Sequence, residues 1–194
     1  EGCEECSGPN TARLIIEDGW SQLLLDGSHE NLEINLHKEY VTPENVVDLF
    51  RKYNVHNEVD YISIDIDSVD LWVFKSILAG GYRPRVVSAE YNSAFPIDVS
   101  ATVKPGTKWN WDAAYGATLL AYTRMTDEFD YRLVCVADYW DAFFVRGDLV
   151  PGKTDLNEFA QWSNLRGLHP TPNVESRKSF VHYPSLEPIS TPWG

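Results

Sequence analysis

The stretch that decides the fold runs from Val59 to Asp70 and reads Val-Asp-Tyr-Ile-Ser-Ile-Asp-Ile-Asp-Ser-Val-Asp. Apolar and polar residues alternate strictly from Ile62 to Asp67, and this period of two is typical of a β-strand. Ser68 then predicts the N-cap of an apolar helix, with Asp70 in its first turn. We therefore predict a strand that ends in acidic residues and leads directly into a helix.

A second strand with a polar end follows this helix. Gly80 and Gly81 end the apolar pattern, and the residues from Arg85 to Glu90 again read as a strand. Strand, helix and strand at this spacing form a βαβ unit, so the two strands are expected to be parallel and adjacent. Ligands of open α/β sheets bind outside the carboxyl ends of the strands, and we expect the functional site there.

Four polar side chains mark these two strand ends: Asp65, Asp67, Glu90 and Asn92. In each strand the two residues are two positions apart and therefore share a face. Carboxylates this close require a cation, a basic partner or raised pKa values. Oxygen ligands suit a divalent cation such as Mg²⁺, and we treat all four residues as candidate ligands.

Two other interpretations of these acids remain open. In the first, Asp67 or Glu90 acts without metal as a general base toward an acceptor hydroxyl. In the second, the acids are structural: one caps the helix that starts near Ser68, and another pairs with a nearby basic side chain, namely Lys75, Arg83 or Arg85.

Length and charge bound the class of protein. The 194 residues carry a formal net charge of −13, and the sequence pI is near 4.7. This acidity argues against nucleic acid or an anionic membrane surface as a partner, and no apolar run is long enough to span a bilayer. We expect one α/β domain over residues 1–150, and an irregular extension over residues 151–194 that packs on it and offers a surface for a protein partner.

The flanking segments complete the predicted sheet. We expect helices over residues 11–18, 30–38 and 113–127 and a strand over residues 20–26. The strands predicted over residues 130–137 and 142–146 are joined too tightly for a crossover, so they form an antiparallel hairpin. The connection over residues 93–111 is long and irregular, which is typical of a binding loop. Its aromatic residues, together with one just beyond it, either line an acceptor pocket or pack under the loop: Trp109, Trp111 and Tyr115.

As an ordered set, several short motifs resemble the FkbM-like methyltransferases and their uncharacterised relatives, which have the Rossmann-like class I methyltransferase fold. They are Glu17-Asp-Gly-Trp20, Leu25-Asp-Gly27, Asp60-Tyr-Ile-Ser-Ile-Asp-Ile-Asp67, Val87-Ser-Ala-Glu-Tyr-Asn92, Tyr115-Gly-Ala117 and Ala142-Phe-Phe-Val-Arg146. The resemblance covers roughly residues 11–150. It implies a mostly parallel sheet with a C-terminal antiparallel hairpin.

The resemblance also implies a cofactor, S-adenosylmethionine, bound at the carboxyl ends of the strands. Asp26 then corresponds to the acid that binds the ribose, although the same residue is also suited to capping its own Asp-Gly bend. Asp65 lies at the same edge and is a candidate cofactor contact. The glycine loop of the family corresponds here only to Gly2 and Gly8, and we expect the strand before that loop to be missing or to belong to a longer polypeptide.

From the resemblance we expect O-methyl transfer to a small molecule or a glycan, with Asp67 and Glu90 as the catalytic acids. The alternative is a non-catalytic protein that keeps the fold as a binding or structural subunit. The sequence does not indicate a cellular compartment.

Overall fold

The computed structural model describes residues 11–108, 114–137, 139–165 and 176–189. The chain divides into two compact units, Glu1–Val41 and Thr42–Gly194. In the described part of the chain, no helix has the length and apolar character needed to cross a bilayer.

The smaller unit contains one helix and a pair of parallel strands. Helix α1 is Ala12–Ile16, and strands β1 (Leu24–Asp26) and β2 (Leu36–Lys38) pair in parallel. The helix predicted over residues 30–38 is wrong: a 3₁₀ turn over Leu32–Ile34 is followed directly by β2. Asn31 caps this turn, and Asn35 ends it in the left-handed region at φ 56°, a conformation that asparagine tolerates better than most residues.

The larger unit is mixed α/β. Its elements in chain order are α2 (Val46–Lys52), β3 (Tyr61–Ile64), α3 (Asp70–Ala79), β4 (Val86–Glu90), β5 (Ala101–Val103), α4 (Leu119–Asp127), β6 (Tyr131–Ala137), β7 (Asp141–Arg146), two 3₁₀ helices (Leu156–Trp162 and Ser176–Ser179) and β8 (Phe180–His182).

Four of these strands form one sheet in the order β3-β4-β7-β6. Strands β3 and β4 are parallel neighbours, which confirms the βαβ prediction, and β6 and β7 form the predicted antiparallel hairpin. Strand β7 also pairs antiparallel with β4, so it runs opposite to the other three strands of this sheet. The α/β class is therefore confirmed, with one parallel and two antiparallel pairings in this sheet.

Strand β4 lies inside this sheet, and its burial positions the site. From Val87 to Glu90 every residue of the strand is buried. Helix α3 covers the sheet through Phe74, whose ring lies 5.7 Å from that of Phe144 on β7. Because this part of the sheet is covered, Glu90, the last residue of β4, is buried.

A second pairing involves the C-terminal extension. Strand β8, from the segment expected to be irregular, pairs antiparallel with β5, which lies within the long connection also expected to be irregular. Beside this pair, the Ser100 hydroxyl donates to the Tyr183 carbonyl at 2.8 Å, and the Lys104 N–H donates to the Ser179 carbonyl at 2.8 Å. Residues 101–104 are therefore held by the end of the chain.

Candidate functional site

The loop between β3 and α3 carries two of the candidate acids. Strand β3 ends at Ile64, so the prediction that Asp65 and Asp67 continue the strand is wrong. Asp67 instead adopts φ 58°, in the left-handed region that aspartate visits more readily than most residues. Both side chains are exposed. The turn of the loop, rather than strand alternation, sets their positions.

Glu90 is the third acid and ends β4. It pairs across the sheet with Asp141 on β7 and is only 8% exposed. Its Oε2 atom is buried and has no hydrogen-bond partner among the residues that the structure describes. Since buried polar groups in folded proteins nearly always have a partner, this oxygen is a feature that requires an explanation.

The parallel register brings the three acids together. Ile64 on β3 lies opposite Ala89 on β4, so the residues that follow the two strands emerge side by side. Carboxylate oxygens from the three acids all lie within 4.8 Å of one another: Asp65, Asp67 and Glu90. We call these three residues the acidic cluster.

The electrostatics of the cluster favour protonation when no cation is present. Burial, the largest cause, and the negative charges of Asp70, Asp65, Asp67 and Asp141 together raise the pKa of Glu90 to about 9. The pKa of Asp67 is also raised, first by partial burial and then by the charge of Asp65. Glu90 therefore carries a proton at neutral pH unless a cation replaces it.

Asn92 has a different position from the one its spacing suggested. It is buried beyond the end of β4, where its Oδ1 accepts a hydrogen bond from the Ala94 N–H at 3.2 Å. Its Nδ2 donates to the Tyr115 carbonyl at 3.2 Å, and its own N–H donates to the Ala117 carbonyl at 2.8 Å. Asn92 therefore holds the segment before α4 against the end of β4.

This segment brings Tyr115 near the acidic cluster. Helix α4 begins at Leu119, after Thr118 as its N-cap, so the prediction of a helix from residue 113 is wrong at Tyr115. The Tyr115 side chain is buried, and its pKa is raised first by burial and then by the negative charges of Glu90 and Asp67. Its phenol therefore stays protonated beside these carboxylates.

Two residues near Glu90 were not predicted from the sequence. The strand predicted over residues 142–146 does not include Asp141, but the β4–β7 register sets this residue opposite Glu90. Tyr122, fully buried on α4, donates its hydroxyl to the Glu90 carbonyl at 2.9 Å. The position of Tyr122 on the inward-facing side of α4 was a weak indication that it is buried. In contrast, no local sequence pattern indicates that β7 lies next to β4.

Asp26 belongs to the smaller unit and ends β1, where the resemblance places it. Its Oδ1 accepts hydrogen bonds from the Ser28 and His29 N–H groups, each at 2.7 Å, and from the Ser28 hydroxyl at 2.8 Å. These bonds, Ser28 first, lower the pKa of Asp26 well below its ordinary value. This carboxylate thus caps its own bend.

Four other candidate residues lie outside the described residues: Gly2, Gly8, Trp109 and Trp111. The expectations attached to them, a glycine loop and an aromatic acceptor pocket, stay predictions.

Comparisons of the chain with family models, curated proteins and solved structures found no match. What the site can do therefore follows from its own atoms.

The basic side chains expected to neutralise the acids are engaged elsewhere. Lys75 pairs with Glu128 at 3.0 Å, Arg85 pairs with Asp60 at 3.3 Å, and Arg83 donates to a backbone carbonyl. Across the described ranges, no ion pair includes Asp67 or Glu90. Pairing of Asp67 or Glu90 with Lys75, Arg83 or Arg85, as the structural interpretation expected, is therefore not found among the described residues.

The donor set fits a hard divalent cation. It consists of carboxylate oxygens alone, at separations short enough for a single ion to bridge. A cation there would give the buried Glu90 carboxylate a partner and would remove the repulsion between the three carboxylates.

Proposed function

We propose that the acidic cluster binds a divalent cation such as Mg²⁺, and that the protein transfers a methyl group from S-adenosylmethionine to an oxygen of a small molecule or a glycan. The observation that carries the cation proposal is the buried carboxylate of Glu90, which lies close to those of Asp65 and Asp67 and whose Oε2 atom has no hydrogen-bond partner among the described residues. A neutral ligand does not offset the repulsion of three close carboxylates, whereas a divalent cation does.

Methyl transfer is supported by the resemblance of the sequence motifs to the FkbM-like methyltransferases. The acids lie at the carboxyl ends of two adjacent parallel strands, where ligands of open α/β sheets bind. The antiparallel hairpin that follows them in the chain is the other element the resemblance implies. These features support methyl transfer as the reaction type. Of the acceptor, the proposal specifies only the hydroxyl group that reacts.

Each residue of the site has a defined task in this proposal. The acidic cluster supplies the oxygen ligands, and the exposed Asp65 and Asp67 form the open side that an acceptor reaches. When bound, the cation would lower the pKa of an acceptor hydroxyl and ease its attack on the methyl group.

Without a cation, Glu90 and Asp67 have different roles, one as a proton donor and the other as a proton acceptor. Glu90 keeps its proton at neutral pH, so it can only donate. Asp67, which is exposed, is then the acid that can accept a proton from an acceptor hydroxyl.

A binding protein without catalysis is the second candidate, and the geometry of Asp26 favours it. One oxygen of this carboxylate already accepts bonds from the backbone and hydroxyl groups of its own bend, which limits its capacity for ribose hydroxyls. In that case the cation site holds a polar ligand rather than a reacting one.

Calorimetric titration of the apo protein with Mg²⁺, Mn²⁺ and Ca²⁺ tests the cation proposal. We expect one site in the native protein and at least tenfold weaker binding in Asp67→Asn, because one of three carboxylate ligands is lost. Asp127→Asn is the matched control, since Asp127 is an exposed acid at the end of α4. Equal affinities in all three proteins would exclude the acidic cluster as the site.

A second titration separates the enzyme from the binding protein. S-adenosylmethionine and S-adenosylhomocysteine are each titrated into the cation-loaded chain. Heat from both ligands supports methyl transfer, because substrate and product cofactor share a site. Cation binding without heat from either ligand favours the binding protein.

A further inference from the structure

Asp70 has an unusual place for a carboxylate. It is the first residue of α3 and is fully buried. Its Oδ1 accepts a hydrogen bond from the Ile66 N–H at 2.9 Å, and its Oδ2 accepts one from the Ser68 N–H at 3.0 Å. Both oxygens of one buried side chain thus bind the loop that precedes the helix.

The two donors lie on either side of Asp67. Ile66 and Ser68 are its chain neighbours, so the Asp70 carboxylate fixes the peptide groups that flank a residue at φ 58°. Ser68 is fixed further, because its hydroxyl donates to the Thr107 carbonyl at 2.7 Å. A side chain attached between two fixed peptides has only its own rotamers left to adjust.

Burial of this carboxylate is costly, which indicates that the loop geometry depends on it. Burial raises the pKa of Asp70 to about 7, even though the hydrogen bonds from Ile66 and Ser68 act in the opposite direction. A serine or threonine cap would satisfy the start of a helix at a smaller desolvation cost. Neither has a second oxygen to hold two loop N–H groups at once.

We propose that Asp70 is a positioning residue of the cation site: it does not bind the ion, but it holds the loop so that Asp67 joins the acidic cluster. This inference rests on the proposed cation binding of that cluster. Groups that orient metal ligands affect binding strongly, and their loss commonly lowers metal affinity by 10- to 100-fold.

A rigid loop also predicts which cation the site prefers. Mg²⁺ requires short, nearly octahedral oxygen coordination, whereas Ca²⁺ accepts longer and more variable geometry. Release of the loop should therefore weaken Mg²⁺ binding more than Ca²⁺ binding. A change in the ratio of the two affinities is a result that simple destabilisation of the protein does not produce.

The test is Asp70→Asn, a substitution of nearly equal size in which one acceptor oxygen becomes an NH₂ group facing a loop N–H. We expect the Mg²⁺ affinity to fall by about tenfold or more, with a smaller fall for Ca²⁺. Faster hydrogen exchange of the Ile66 and Ser68 amides is expected in the same variant without any cation. The control is Thr126→Val on α4, which removes another buried polar group and should leave the affinity ratio unchanged.

The possible failures are distinguishable. If the native chain binds neither cation, the proposed function is wrong. If it binds them and a folded Asp70→Asn variant keeps both affinities, the positioning role is wrong. Should the variant fail to fold, the native chain decides: slow exchange of the Ile66 and Ser68 amides without cation supports the role, and exchange as fast as in exposed loops overturns it.

Discussion

Replacement of Glu90 by glutamine should change how stability depends on pH. Glu90 is 8% exposed, and its pKa rises from 4.5 to about 9 on folding, chiefly because of burial. The folded chain therefore binds this proton more tightly than the unfolded chain does. The stabilisation that comes from this bound proton is complete below pH 4.5 and is lost as the pH rises toward 9.

The size of this effect follows from the linkage between protonation and folding. One proton bound only in the folded state changes the free energy of unfolding by about 1.4 kcal/mol per pH unit. Between roughly pH 5.5 and pH 8, the cation-free native chain should thus lose about 3 kcal/mol more than Glu90→Gln, because glutamine resembles the protonated acid and does not titrate. Asp70 titrates in the same window with the same sign, so only the difference between the two proteins assigns the effect to Glu90.

Urea unfolding followed by tryptophan fluorescence, with a chelator present, measures this difference. Glu158→Gln is the matched control, because Glu158 is exposed on a 3₁₀ helix and should leave the pH dependence unchanged. Addition of Mg²⁺ at about pH 8 should restore stability to the native chain and have a smaller effect on Glu90→Gln. Equal pH dependence in the native chain and Glu90→Gln would refute the protonated, buried state of Glu90.

Three further substitutions test single contacts. Ser68→Ala removes the hydroxyl that donates to the Thr107 carbonyl, and urea unfolding should show a loss of about 1 kcal/mol. Tyr183→Phe removes the hydroxyl that lies 2.7 Å from Lys75 Nζ and 2.6 Å from Glu128 Oε1. Because charged partners strengthen these bonds, the expected loss is about 2 kcal/mol, and a loss below about 0.5 kcal/mol would contradict it. Asp26→Ala should speed amide exchange at residues 28 and 29, and unchanged exchange there would show that the bend does not need its cap.

Local patterns predicted the elements that depend on neighbouring residues. The alternation that starts at Ile62 identified β3, and the apolar run after Ser68 identified α3, because both patterns bury a continuous face. The same reasoning failed from residues 30 to 38. Leu32 and Leu36 are four positions apart, which is a helical spacing. However, Asn31 and Asn35 favour a cap and a left-handed residue, and this local backbone chemistry prevails.

Three of the four residues predicted at the strand ends, Asp65, Asp67 and Glu90, form the acidic cluster, but the reason given for their positions was partly wrong. Asp65 and Asp67 lie together through a loop with a left-handed residue, whereas strand alternation was expected to place them. The positions of Asp141 and Tyr115 depend on strand order and on a loop that returns to β4. Such contacts join distant parts of the chain, and the local pattern of a single sequence carries no signal for them.

The pairing of β5 with β8 has a consequence for the order in which the chain is made. Ser100 and Tyr183, which are hydrogen-bonded beside this pair, lie 83 positions apart. During synthesis from the N-terminus, the acids at the ends of β3 and β4 leave the ribosome long before β8 exists. The segment from β5 to Tyr115 can acquire β8 as a strand partner only after residues 180–182 have been synthesised. A ribosome-bound nascent chain that stops before β8 would therefore contain all three acids without the finished support of the loop beside them.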